Sequence, residues 1–458
     1  VRYESESGDM TMALTGESLI TRALMPFREP NFLRLRDLID AADVGFTNAE
    51  MLFHDFEGSP AEESAGTFLR CDPRFLRDLK WMGIDIAACA INHAYDYSDV
   101  GVLVNKQNLD EAGIPNAGTG RNLTLSRAPA YLDTRKGRIA LLSCTDHVNV
   151  PAARAIEERP DMKGRPGANH VRTRWIYRCD PETFEALRTL DEKLGFKKDR
   201  DAHRRGRFPQ HRDADTGDFF HFGPGIGSYD HWHQAGAMRI ERADKISRTT
   251  VVDEQDWQDN LKWIKDARRM ADWVMFSFHC GYKGPSPDYP VDHLVRCAHE
   301  AIDAGADVFI GHGPHRDQGI EIYRGKPIFY SIGDFILQND TPELQPASSY
   351  DRFGLGWNHT PADFYFTRSR DETIGQDVHR ENWQSFVAEV VWSQRQLKEI
   401  RLHPIDLGMG LPMGQRGRPV LAEGNTADEI LNRLQRCSDP FGTKIERESA
   451  GTGIIRIV

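Results

Sequence analysis

The residues best suited to chemistry fall at five places along the chain. In GADVFIGHGPH, His312 and His315 stand three apart directly after an apolar run. FSFHCG ends a similar run on His279, AINHAYD carries Asn92 and His93 side by side, and TGES and NAE supply Glu17 and Glu50. An HxxH pair in a loop says little by itself. Taken together, the five places offer two carboxylates, an amide oxygen and several imidazoles, the repertoire of a hydrolytic metal site. Such a mixture suits zinc, manganese or iron. A divalent cation there lowers the pKa of bound water to about 7 and polarises a phosphoryl or carbonyl oxygen.

These residues need a sheet to position them. Over residues 11–146 and 272–335, short apolar runs alternate with helix-patterned segments, which predicts a mainly parallel or mixed sheet covered by helices. MTMALTG reads as a strand closed by a glycine turn, and IDIAACAINHA as a strand up to Asn92. FLRLRDLIDAADV, PRFLRDLKWMG and VGVLVNKQNLDEAG read as helices, the last closed by Gly113. In the second block DWVMFSFHCG and DVFIGHGPH are strands running into turns, with HLVRCAHEAIDAGA a helix between them and PIFYSIGDF one more short strand. Glu17, Glu50, Asn92, His93, His279, His312 and His315 then all fall just past C-terminal strand ends, where open α/β sheets build their ligand sites. One such residue reads as a cap or turn residue; seven at equivalent places do not.

Residues 147–250 read as an insertion over the core, with a helix at PETFEALRTLDEKLG. Its stretch 203–233 holds His203, His211, His221, His231 and His233 among aromatics, and forms either the wall of a substrate cleft or a solvated loop. A second irregular stretch, 338–385, is rich in aromatics and reads as a lid or an interface. SFVAEVVWSQRQLKEIRLHPI then alternates like an antiparallel hairpin, and the tail predicts one helix and a last strand.

At 458 residues the chain can bury a large core, and 39% hydrophobic with 28% charged residues is ordinary globular usage. A net charge of −11 over segments of mixed sign argues against a nucleic-acid surface. The seven scattered cysteines, without a CxxC, predict buried thiols rather than disulfides or a zinc–thiolate site. No run approaches the roughly 18 apolar residues that span a bilayer, so no membrane segment is expected. VRYESESGDM lacks the shape of a signal peptide. The cytoplasm is the expected compartment, with the reservation that a chain beginning at Val1 leaves room for an export signal upstream.

The motifs resemble those of the CapA-like capsule and poly-γ-glutamate synthesis proteins, a branch of the calcineurin-like metallophosphatase superfamily. GHGPH followed by GIEIYRGKPIFYSIGDF is similar to their GHxPH and YSxGNF, and INHAYDYSDVG to their NNHxxDxG. NAE, FSFHCG and TGES match their NxE, their HWG-type strand end and their opening TGD, in the same order along residues 11–146 and 272–458. The resemblance implies an αββα sandwich, two mixed sheets flanked by helices, as a single domain over residues 1–458 with 147–250 covering the active site. It implies Glu17, Glu50, Asn92, His279, His312 and His315 as ligands of one or two divalent ions (Mn, Zn or Fe), and His93 as the acid/base group. Asp96, three residues on, is placed either to orient His93 or to cap a helix.

Three departures stand out. Glu17 occupies the family's Asp position, which alters metal spacing; Leu19 stands where classical metallophosphatases have His, as in CapA-like proteins, leaving one metal site short of a ligand; and GNF has become GDF, adding Asp334. Hydrolysis is the default reaction, of an amide or ester in a small-molecule or peptide substrate that bears a carboxylate. Phosphoester hydrolysis, metal-assisted epimerisation or lyase chemistry, and a non-catalytic polymer-handling role are the alternatives. Arg316, Lys283, His221, His231 and His233 are the candidates to hold the substrate, the two cations as clamps for phosphate or carboxylate or else as surface charges.

Overall fold

The computed structural model describes residues 3–64, 66–206, 215–224, 237–284, 286–448 and 451–457. The chain divides into two compact units: Val1–His170 with Asp259–Pro290 and Cys297–Val458, and Val171–Gln258 with Val291–Arg296.

The larger unit is built on two sheets. One, of ten strands, has Met10–Leu19 at its centre, flanked by parallel Val44–Asn48 and then Ile86–Ala88 on one side and by the antiparallel hairpin Gln384–Ser393 and Gln396–Asp406 on the other. The other, of six strands, runs Ile320–Tyr323, Lys326–Phe329, Val308–His312, Trp273–His279, Gly137–Thr145 and Ala130–Thr134, its four inner strands all parallel. Alternation along each strand sets the layers. Met12, Leu14, Val44, Phe46 and Ile86 point inward and pack on Ile139, Leu141, Met275, Val308 and Ile310 of the facing sheet. The intervening Ala13 and Ala87 face outward, against Phe32, Leu35 and Ile39 of helix Pro30–Asp40 and Leu76 and Leu79 of helix Leu76–Trp81. Helix Gly424–Ser438 adds Ala427, Ile430, Leu431 and Leu434 to the inner core. The result is the α/β sandwich expected, two sheets flanked by helices. Each large apolar side chain buried this way contributes about 1.5–3 kcal/mol, which offsets the cost of the polar cluster described below.

Three strands differ from expectation. The first does not close at Gly16 but continues to Leu19, because it changes partner midway: Met10–Leu14 pair with Gln384–Ser393, and Glu17–Leu19 with Asp334–Leu337. PIFYSIGDF is not one strand but two in different sheets, Lys326–Phe329 and Asp334–Leu337, separated by a crossing at Tyr330–Gly333 where Gly333 takes φ +81°. The stretch expected to be strand up to Asn92 pairs only over Ile86–Ala88 before the Ile91–Ala94 turn. The 338–385 stretch contains helices Ala347–Arg352 and Pro361–Ser369.

The smaller unit holds a four-stranded sheet in the order Phe219–Phe222, Met238–Arg242, Thr173–Cys179, Ser247–Val252. Helix Pro181–Lys193 packs on it through Phe184, against Cys179, Phe220 and Ile240. All seven cysteines are buried thiols outside any disulfide. No described helix is long and apolar enough to cross a membrane.

Candidate metal and acid/base site

Glycines place the acids. A Cβ on Gly16 would lie 1.9 Å from the Gly333 carbonyl oxygen, so only glycine lets the two backbones touch. The next residue, Glu17, donates its N–H to that same oxygen at 2.9 Å, and its register partners are Asn48 on one side and Asp334 on the other. Glu17 therefore lies inside its strand rather than past its end. Gly313 follows His312 at φ +111°, where a Cβ would meet the Cys280 carbonyl oxygen at 2.1 Å. The turn it opens holds His315 at φ 55°, a left-handed conformation that costs a non-glycine residue about 1–3 kcal/mol and is tolerated where surroundings enforce it.

These constraints bring the expected residues together. His279 and His312 end neighbouring strands as register partners. His279 Nδ1 is 3.7 Å from Glu17 Oε1, and Nε2 is 4.0 Å from Glu50 Oε1. Its Nε2 donates to Asn92 Oδ1 at 2.9 Å while Asn48 Nδ2 faces Nδ1 at 3.3 Å. His315 Nδ1 lies 2.8 Å from Glu17 Oε2, 2.9 Å from Asp334 Oδ1 and 3.8 Å from Glu50 Oε2. One ligand atom from each of Glu17, Glu50, His315 and Asp334 falls within 4.8 Å of all the others. Asp334, whose role the sequence left open, is thus part of the cluster.

The donor set fits a divalent cation. Among the described residues, both Glu50 oxygens, both His312 nitrogens and Asp334 Oδ2 are buried without a hydrogen-bond partner. Leaving such groups unsatisfied costs about 1–3 kcal/mol each, more when charged, and a cation held among Glu17, Glu50, His315 and Asp334 would answer the Glu50 and Asp334 oxygens together. Protonation agrees. Burial pushes the His279 and His312 pKa values down to about 4 and about 3, so both imidazoles are neutral and have no proton to shed on binding. Burial raises Glu50 well above the usual carboxylate range and the Glu17 charge adds to it. Against burial, the surrounding acids, Glu17 first, hold His315 well above its ordinary value, and His315 in turn holds Glu17 well below.

Beside the cluster lies a dyad. His93 Nδ1 donates to Asp96 Oδ2 at 2.7 Å, which fixes the tautomer and leaves Nε2 as the exchanging nitrogen. Asp96 also accepts from Leu69 N at 2.8 Å, and it is not the cap of helix Ser98–Glu111, whose N-cap is Tyr97. Ser64 Oγ is 3.2 Å from His93 Nδ1, and Asn149 links Asn92 at 3.2 Å to Ser64 and Asp96, both at 3.4 Å. Spacing in the sequence gives no signal for Ser64 or Asn149, whereas Asn48 opens the NAE motif. His93, Glu50 and His315 line one cleft of 220 Å³ with Leu19, Thr67 and Arg368.

Of the expected substrate-holding residues, two can be compared with the lining of that cleft. Arg316 pairs with Asp288 at 2.6 Å, Lys283 is exposed, and neither lines it. His221 belongs to the smaller unit, where Nδ1 lies 3.2 Å from Asp215 Oδ1. His211, His231 and His233 lie outside the described residues.

Known proteins share this chain's sequence across the same motifs. The family model described as "Bacterial capsule synthesis protein PGA_cap" matches residues 7–339. Two proteins of Sinorhizobium fredii, uncharacterized proteins y4uA and y4sH, are each 33% identical over 98% of this chain and 93% of their own length. The PGA biosynthesis protein CapA of Bacillus subtilis is 40% identical over 77 residues, 17% of this chain and 20% of CapA. With its motifs in order, its sandwich formed and most of its length matched, the chain belongs to the bacterial capsule synthesis protein PGA_cap family, the CapA-like group within the metallophosphatase-like superfamily.

Proposed function

We propose that the chain is a metal-dependent hydrolase acting on an amide or ester bond in a carboxylate-bearing substrate. The observation that supports this best is the position of His93: it is held by Asp96 and lines the same cleft as Glu50 and His315. A structural metal needs no acid/base group beside it. The Bacillus relative is a PGA biosynthesis protein, and we carry that setting over to this chain as part of the proposal.

Glu17, Glu50, Asn92, His279, His312 and His315 are the residues that would hold one or two divalent ions, joined here by Asp334. When bound, such an ion supplies Lewis acidity toward the reacting oxygen and eases the ionisation of water. His93 carries a proton on Nε2 to the leaving group while Asp96 supports the imidazolium. Burial of Glu17, Glu50 and His279 keeps bulk water from screening these charges. Choice of substrate we assign to the insertion 147–250; deleting 203–233 should then abolish turnover and leave metal content intact.

The test is metal analysis on protein purified without chelator, followed by assays on amides, esters and phosphoesters. Amide or ester cleavage supports the proposal. Cleavage of phosphoesters alone would make the protein a phosphoesterase, and solvent-deuterium exchange at Cα without cleavage an epimerase. Stoichiometric metal with no turnover at all would leave a non-catalytic role in polymer handling.

A further inference from the structure

The cleft at His93 has room for one end of a substrate. Its 220 Å³ falls below the roughly 300–1,000 Å³ of sites that enclose a whole small molecule. Most of the polar side chains that line it are already engaged. Glu50 and His315 belong to the acid–imidazole cluster and His93 to the dyad. Arg368 donates to Thr67 Oγ1 and lies 5.2 Å from the centre of the Tyr365 ring. Ser369 Oγ donates to the Tyr365 carbonyl oxygen and accepts from the Glu372 N–H, both at 3.0 Å. Asn339 and Gln376 are left.

These two half-buried amides hold each other. Asn339 Nδ2 donates to Gln376 Oε1 at 2.7 Å, and neither side chain makes a further hydrogen bond among the described residues. Each amide carries an acceptor oxygen and a donor nitrogen, so one bond between them leaves Asn339 Oδ1 to accept and Gln376 Nε2 to donate. Turning both amides over exchanges which residue supplies which and still leaves one acceptor and one donor. Both residues are fixed through their neighbours or main chain. Gln338, next to Asn339, accepts from the Thr21 and Arg22 N–H groups at 2.9 Å and 2.8 Å and donates its own N–H to the Leu19 carbonyl oxygen at 2.9 Å. The Gln376 carbonyl oxygen accepts from Nε1 of the buried Trp383 at 3.1 Å, so its side chain can be changed without cutting that anchor.

We propose that Asn339 and Gln376 form an amide-reading subsite, where an uncharged carboxamide flanking the scissile bond donates its N–H to Asn339 and accepts from Gln376. A methyl ester supplies the acceptor but no donor, and a carboxylate supplies no donor and sets its charge against the Asn339 oxygen. A site built to hydrogen-bond an N–H rejects an analogue that lacks it, because the site's own acceptor is then left unpaired. The substrate's carboxylate accordingly lies outside this subsite. The subsite deepens the hydrolase reading and rests on it for the position of the scissile bond.

The probes are the 4-nitroanilides of glutaramic acid, monomethyl glutarate and 5-aminopentanoic acid, which end in a carboxamide, a methyl ester and an ammonium group. All are titrated into the metal-loaded wild type, Gln376→Glu and Asn339→Ala, following binding by calorimetry and 4-nitroaniline release by absorbance. Thermal melts confirm that each variant is folded. The wild type should prefer the carboxamide to the methyl ester by about tenfold, the worth of one hydrogen bond. Asn339→Ala should lose that preference. In Gln376→Glu the carboxylate still accepts from Asn339 Nδ2, but both open atoms are now acceptors, so the preference should pass to the ammonium probe. Equal affinity of the wild type for carboxamide and ester, no binding of any probe, a carboxamide preference that survives in either folded variant, or a uniform weakening of all three probes in Gln376→Glu overturns the subsite. Selective binding of the carboxamide without release of 4-nitroaniline instead counts against the hydrolase reading and leaves the subsite standing.

Discussion

Glu17 and Asp334 stand opposite each other on neighbouring parallel strands, and the Nδ1 atom of His315 reaches both, at 2.8 Å and 2.9 Å. The pair exists because Gly16 and Gly333 allow their backbones to touch. With Glu50 it concentrates three carboxylates in a buried space, a costly arrangement unless a cation or protons neutralise it.

The first prediction follows from that charge. Burial raises the Asp334 pKa from 3.8 to about 7, with Glu17 adding to the rise against the pull of His315. A carboxyl with a raised folded pKa stabilises at low pH, and its contribution is lost as pH climbs through the folded value. Glu50 and His315, both raised well above their ordinary values, act in the same direction at higher pH. His279 and His312, depressed to about 4 and about 3, change their contribution only below their ordinary 6.5. The Asp334 contribution is therefore lost as pH climbs from about 4 to about 7, and across that range the melting temperature of chelator-treated Asp334→Asn should gain on that of the wild type. Added Mn²⁺ should raise the wild type at pH 7, and a difference between the two proteins that stays constant from about pH 4 to about pH 7 would contradict the assignment.

Gly16→Ala tests how the acids are positioned. The added methyl would sit 1.9 Å from the Gly333 oxygen, so the strands must part at Glu17. A stability loss of about 1–3 kcal/mol or more is expected, together with weaker metal binding. Unchanged melting and metal content would show that the Gly16–Gly333 contact does not control the site.

His312→Ala removes an imidazole that has no hydrogen-bond partner among the described residues. Its loss should weaken metal binding at least about tenfold, as even more distant supports of a metal site do, and excess metal should restore part of the turnover. Full metal affinity in this variant, measured by calorimetry, would remove His312 from the ligand set.

Much of this was legible from residue types alone. The strand-end histidines and the Asn92–His93 pair converge as their motifs imply, because parallel strands deliver their C-terminal ends to one edge. Asp334 could be seen as a departure but not placed, since its position depends on the register with Glu17 across more than 300 residues of chain. The split of PIFYSIGDF between two sheets was hidden for the same reason: apolar alternation records burial, not which sheet provides it. Arg368 gave no signal, because it is one arginine on a helix remote in sequence from every motif and only tertiary packing brings it to the cleft.

Asp96→Asn keeps the shape of the dyad but removes the charge beside His93. A turnover defect milder than that of His93→Ala is expected, with metal content unchanged. Equal defects in the two variants would mean that Asp96 does more than orient and support the ring.

The central claim is that the cluster binds the metal while His93 moves the proton, and His93→Ala tests it most directly when metal content and turnover are measured on the same preparation. The account predicts nearly stoichiometric metal and turnover lowered by roughly a hundred- to ten-thousandfold, the usual worth of one acid/base group, with no recovery on adding metal. A variant that loses its metal and regains turnover when metal is supplied would contradict it, and would make His93 a ligand.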